Sequence, residues 1–143
     1  MLTRVTFALL VLVLGASLAF AEDAQPETTI LSLGLTDRKV DKTDLMKRMI
    51  LPVPRYDTGG IAYGWVANAK KGDHVEVHLR KDGTSLVHNL RDVTEDDTDV
   101  LLMAGKTGVP AGGWPKGQYT AKVTVTRGGE TIAEQETDPI PFE

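Results

Sequence analysis

Gly112-Gly113-Trp114-Pro115-Lys116-Gly117-Gln118-Tyr119-Thr120-Ala121-Lys122-Val123-Thr124-Val125-Thr126 is the stretch whose reading decides the fold. Its first half sets Gly and Pro around a single Trp, the residues for a tight turn that needs positive φ beside a fixed φ. In its second half Tyr119, Ala121, Val123 and Val125 alternate with Gln118, Thr120, Lys122, Thr124 and Thr126, so one face is apolar and the other wet. That is a half-buried antiparallel strand, and Trp114 and Tyr119 bring large apolar area to whatever packs over it.

Strand signals continue on both sides. Downstream, Gly128-Gly129 predicts a tight hairpin and Glu130 to Thr137 the returning strand. Asp138-Pro139-Ile140-Pro141-Phe142 closes the chain as an edge strand, the place where alternate prolines are tolerated. Upstream, Thr28 to Leu35 reads as a first strand, and Ile61 to Val66 as a second with Ile61, Tyr63 and Trp65 on one face. His74 to Arg80 alternates cleanly, with Val75, Val77 and Leu79 facing in. Lys81-Asp82-Gly83-Thr84 is a hairpin signal, so Ser85 to Leu90 returns. Val100 to Ala104 is a short buried strand.

Thr36 to Pro54 admits two readings. Asp41 or Thr43 can cap a short helix through Met49, since Leu45, Met46 and Met49 fall at helical spacing. Pro52 and Pro54 instead demand extended residues before them, and the β-rich surroundings favour the extended reading. About seven short strands and no strong helix predict an all-β fold, a single antiparallel immunoglobulin-like β-sandwich. A jelly roll or small barrel is the alternative topology.

Residues 1–21 read as a cleaved signal peptide: Arg4, an apolar run from Val5 to Leu18, and Ala19-Phe20-Ala21 as the cleavage signal. The run is shorter than the roughly 20 residues of a spanning helix, so no membrane span is expected after cleavage. The expected organisation is leader 1–21, flexible lead-in 22–28 and sandwich 29–143. Cleavage leaves 122 of 143 residues and moves the formal charge from −4 to −5. The chain has no cysteine, which removes disulfides, thiol chemistry and a lipoprotein anchor. A mildly acidic net charge argues against nucleic acid and anionic lipid as partners. Periplasmic or secreted localisation follows from the leader.

Several motifs together carry a resemblance. They are the leader, Ile61-Ala62-Tyr63-Gly64-Trp65-Val66, Lys71-Gly72-Asp73-His74-Val75, Leu79-Arg80-Lys81-Asp82-Gly83 and Gly113-Trp114-Pro115-Lys116-Gly117-Gln118-Tyr119. This combination resembles immunoglobulin-like domains of secreted and periplasmic bacterial proteins. The resemblance covers roughly residues 29–143 and implies a sandwich in which the Gly-Trp-Pro-x-Gly-x-Tyr element leads into the penultimate strand. It also implies that Tyr119 braces a corner. Such sandwiches mostly lack catalytic residues.

Chemistry has few candidates. His74, Glu76 and His78 share the outer face of one strand, with same-face neighbours about 6.5–7 Å apart. Two imidazoles and a carboxylate suit zinc or copper. A two-residue Asp82-Gly83 turn places His88 opposite Val77 on the core side with Leu86 and Leu90. A three-residue turn places it opposite Glu76, completing a patch. Burial of the two leucines favours the first register. The acidic run from Arg91 to Asp99 lacks the glycine and terminal glutamate of an EF-hand and reads as a solvated loop. Ser32 and Ser85 have no histidine near them in sequence, and Lys106-Thr107-Gly108 has no Ser-x-x-Lys partner, so no enzyme is expected. Trp65, Tyr63, Trp114 and Tyr119 read as core and corner residues rather than a sugar-stacking platform, with Trp114 the exception because it sits in a Gly-rich turn where a side chain can be exposed.

The functional expectation is therefore a non-catalytic binding or structural module without cofactor or bound metal, contacting a protein or cell-envelope partner. The alternative is a small periplasmic metal-binding protein using His74, Glu76 and His78.

Overall fold

The computed structural model describes residues 27–143. The leader and residues 22–26 of the lead-in lie outside the described residues. Eight strands follow in order: β1 (Thr29–Thr36), β2 (Gly60–Ala69), β3 (His74–Lys81), β4 (Thr84–Asp92), β5 (Thr98–Lys106), β6 (Gln118–Arg127), β7 (Glu130–Glu136) and β8 (Ile140–Pro141). One short helix, α1 (Lys42–Met46), lies between β1 and β2. The strands form two antiparallel sheets, β1-β2-β5 and β4-β3-β6-β7, with β8 pairing with the start of β6. This is the all-β sandwich expected, with the strand order of an immunoglobulin-like Greek key.

The alternating strands supply the core. Val75, Val77 and Leu79 of β3 and Tyr119, Ala121, Val123 and Val125 of β6 are all completely buried. They face Ala62, Val66, Val100 and Leu102 of the opposite sheet. Gly64 sets the closeness of that contact, because a Cβ there would come within 2.4 Å of Val123. The inner side of β2 is thus made of small residues, and its large ones, Ile61, Tyr63 and Trp65, point outward.

That outward apolar face needs a cover, and residues 37–56 provide it. Val40 and Pro54 are buried, the Val40 N–H donates to the Met103 sulfur of β5 at 3.4 Å, and the hydroxyl of Thr36 donates to the Pro52 carbonyl at 2.9 Å. The extended reading of 36–54 needs correction at its centre, where α1 forms. Asp41 is its N-cap: the carboxylate accepts from the Asp44 N–H, and the Asp44 carboxylate accepts from the Asp41 N–H. Local capping here outweighs the β-rich surroundings, while residues 50–54 carry no regular structure around their prolines.

Two polar devices close the ends. The Tyr119 hydroxyl donates to the Pro115 carbonyl at 2.5 Å, and its ring stacks on Phe142 with centroids 3.8 Å apart. This is the corner bracing that the resemblance implies. At the other end Asp73, with no exposed surface, accepts from the Arg127 Nε at 2.7 Å and from a second guanidinium N–H at 2.9 Å. The Lys70 N–H also donates to it, at 2.8 Å.

Replacing Tyr119 with Ala should destabilise the domain by about 3–5 kcal/mol through the cavity it leaves. Tyr119→Phe should cost about 1–2 kcal/mol by orphaning the Pro115 carbonyl. Urea unfolding measures both, and a Phe variant as stable as wild type would remove the hydroxyl from the account. Arg127, as the principal cause, and the Lys70 amide hold the Asp73 carboxyl below its usual range. A depressed folded pKa contributes stability that is present above the unfolded value of about 3.9 and lost as pH falls below it. Asp73→Asn should therefore cost about 2–3 kcal/mol at neutral pH, less than a wholly buried pair because Arg127 is half exposed. Its deficit relative to wild type should shrink below about pH 4, read by unfolding at a series of pH values.

Candidate functional site

The outer face of the β4-β3-β6-β7 sheet holds the histidines. His74, Glu76 and His78 project outward from β3 as expected. The register of β4 differs from the favoured one. Lys81 pairs with Thr84 across the two-residue turn, but the pairing then shifts, so that Arg80 faces Ser85, Leu79 faces Val87 and His78 faces His88. Leu86 is the extra residue of this bulge. Leu86 and Leu90 are consequently exposed, and Val87 is the β4 side chain that packs on the core. A bulge re-aims every side chain beyond it, and neither the Asp-Gly signal nor the leucine pattern announces one.

His78 and His88 stack with ring centroids 5.4 Å apart. His78 Nε2 lies 3.2 Å from a Glu76 carboxylate oxygen, and Nδ1 lies 2.7 Å from the Ser85 hydroxyl. His74 Nδ1 contacts the Asp92 carboxylate. Both nitrogens of His78 are thus already engaged. Among the described residues no three His, Asp or Glu side chains are grouped to hold a metal ion.

Ser85, without a histidine near it in sequence, meets one through the strand pairing. Serine, imidazole and carboxylate in a row suggest acyl transfer, but the surroundings do not supply its other half. The row lies on a sheet face, where backbone N–H groups point along the sheet toward neighbouring strands and cannot converge on an oxyanion above it. Beside the exposed Leu90, the face carries cross-paired charge. Arg80 and the Thr120 hydroxyl both donate to Glu136, at 2.8 and 2.7 Å, and Lys122 pairs with Glu134 at 2.8 Å. Thr120 first, then Arg80, holds the Glu136 carboxyl below its usual range.

The Trp114 corner is also built for packing. Trp114 is only 7% exposed. Its N–H donates to the Tyr56 carbonyl and its indole Nε1 to the Thr58 carbonyl, both at 2.9 Å. Its ring meets Tyr119 and Phe142 edge-on. An open cleft of about 770 Å³ beside it runs from Tyr56 past Lys116 and Gln118 to Glu143. The Trp is part of its wall and not a platform.

The acidic loop, read as solvated, is tied back to the β2–β3 turn. Lys70 pairs with Asp97 at 2.5 Å, and the Lys71 N–H donates to Asp96 at 2.9 Å.

The feature that sequence reading missed lies over the other sheet. Along residues 46–56, Met46, Met49, Ile50, Val53 and Tyr56 are exposed, Met46 at 71% and Ile50 at 97%. Beside them a groove of about 360 Å³ is lined by Leu31, Leu45, Arg48, Met49, Tyr63 and Trp65. The Trp65 indole N–H is buried without an acceptor among the described residues. Periodicity cannot find such a strip, because apolar and basic residues mix with prolines at no fixed spacing. Five large apolar side chains left in water over eleven residues are what monomeric surfaces avoid. The arrangement offers contact area and positive charge, and Ser32, which also lines the groove, is hydrogen-bonded to Tyr63.

Comparison of the chain with protein families, with characterised proteins and with solved structures returned no match. What defines the molecule is an immunoglobulin-like sandwich with one self-paired polar face and one apolar, basic strip.

Fluorescence distinguishes the two tryptophans. Trp114, reported by Trp65→Phe, should emit to the blue and resist acrylamide. Trp65, reported by Trp114→Phe, should be quenched more readily. A freely quenched Trp114 would reopen it as a stacking surface.

Proposed function

We propose that this chain is a non-catalytic, exported immunoglobulin-like binding module, periplasmic or secreted, that contacts a protein or cell-envelope partner. One observation carries the reading: the exposed apolar strip from Met46 to Tyr56, held on a β-sandwich framework. Burying apolar side chains of this size contributes roughly 1.5–3 kcal/mol each, so a surface that leaves five of them in water has a large gain available on contact. The strip is also pre-organised. Pro52 and Pro54 limit its conformations, the Thr36–Pro52 hydrogen bond fixes its middle, and Trp114 ties down its end at Tyr56. Pre-organisation lowers the ordering cost of association. The non-catalytic reading is supported by the engagement of Arg80 with Glu136 and of Lys122 with Glu134, which occupies the cations beside the Ser85–His78–Glu76 row.

A photoreactive side chain at position 50, installed in the protein in its own cell, should give discrete adducts with envelope components. The same group at Thr131, exposed on β7, should give none. The double variant Met49→Asp/Ile50→Asp should retain wild-type stability and leave the envelope fraction. Equal labelling from both positions, or unchanged fractionation of the variant, would remove the strip as the contact surface.

A further inference from the structure

The strip is charged as well as apolar, and the charge is hidden in the whole-chain sum. Between Arg38 and Tyr56 the cations are Arg38, Lys39, Lys42, Lys47, Arg48 and Arg55, and all six are exposed. The carboxylates in the same span are Asp41 and Asp44, which are occupied with capping α1. The span therefore carries +4 within a chain whose net charge is −4, which leaves −8 on the remainder. Arg38 and Arg55 have acidic neighbours in Asp37 and Asp57. Lys47 and Arg48, which flank Met46, Met49 and Ile50, have no ion-pair partner among the described residues.

We propose that this strip docks the domain on an anionic phospholipid surface, with Ile50 and the methionines entering the boundary between headgroups and acyl chains and the cations meeting lipid phosphates. The proposal rests on the strip being the contact surface and names its partner. Apolar side chains that enter by about 5–10 Å beneath a fringe of Lys and Arg are the composition of interfacial segments. Tyr56 at one end and Trp65 in the adjoining groove are the residue types that sit at headgroup level. Lysine also distinguishes this surface from a protein interface, whose centre is depleted in it. The argument from net charge against anionic lipid averages over the whole molecule, but a charged surface acts over a Debye length of only about 8 Å in physiological salt. At that range the membrane would meet Lys47 and Arg48, which lack an ion-pair partner among the described residues, ahead of the acidic remainder.

The test is co-sedimentation of the exported protein with vesicles of phosphatidylglycerol and phosphatidylcholine in equal parts, against phosphatidylcholine alone. Wild type should bind the anionic vesicles and weaken as salt rises from about 0.1 M to about 1 M, where the Debye length falls to about 3 Å. Each cation at the surface contributes roughly fivefold, so Lys47→Gln/Arg48→Gln should bind about 25-fold more weakly. Ile50→Ser should lose about tenfold or more. All three positions are exposed, and unchanged circular dichroism confirms that the fold is kept. Binding that is equal on both vesicle types, or indifferent to these substitutions as binding through residues 5–18 would be, overturns the proposal. If vesicle binding fails while position 50 still cross-links to one protein, the partner is that protein and the contact surface stands. If both fail, the contact surface falls with the lipid.

Discussion

The bond from the Tyr119 hydroxyl to the Pro115 carbonyl is the constraint on which the rest of the molecule hangs. It fixes where the turn ends and β6 begins, and β6 is the strand that pairs with β3, β7 and β8. The same ring stacks on Phe142, so the last residues of the chain are held by the element that starts the penultimate strand. Trp114 then extends the corner across the sandwich. Its two hydrogen bonds to the Tyr56 and Thr58 carbonyls reach the segment that covers the opposite sheet. A packing device at one corner therefore also holds one end of the exposed apolar strip.

The two outer faces use charge in opposite ways. On the β4-β3-β6-β7 face, cations and carboxylates alternate across neighbouring strands and neutralise one another, and the histidines take part in that pairing. On such a surface most charges already have a partner. Over the β1-β2-β5 face the acidic groups are consumed by the cap of a five-residue helix, and neighbouring cations are left facing solvent beside exposed methionine and isoleucine. The difference arises from local structure. Asp41 and Asp44 keep their charge while they cap α1, but neither forms an ion pair with Lys47 or Arg48 among the described residues.

The close approach of the sheets explains why that second surface exists. Small residues on the inner side of β2 let Val123 and Val77 come against Gly64, which sends Ile61, Tyr63 and Trp65 to the outside. Those side chains require a lid, and the long segment between β1 and β2 supplies it. The residues of that segment that face the sheet are buried. Those that face away, from Met46 to Tyr56, are what remains exposed.

Alternation along β3 and β6, the Asp-Gly and Gly-Gly turns and the Gly-Trp-Pro-x-Gly-x-Tyr corner were sufficient in the sequence to determine an all-β sandwich and its principal core residues. Each is a local signal, set by the two-residue period of a strand or by the dihedral needs of a turn, and local signals survive without knowledge of neighbours. The candidate site was less legible. The bulge at Leu86 depends on which residue of β3 each β4 residue meets, so the meeting of His78 with His88 and Ser85 was decided only by strand pairing. Burial of Trp114 required Phe142 and the carbonyls of Tyr56 and Thr58, which are distant in the chain. The exposure of Ile50 likewise depended on which side of residues 37–56 turned to the sheet. Tertiary structure decided these because each is a relation between segments, and composition and spacing describe one segment at a time.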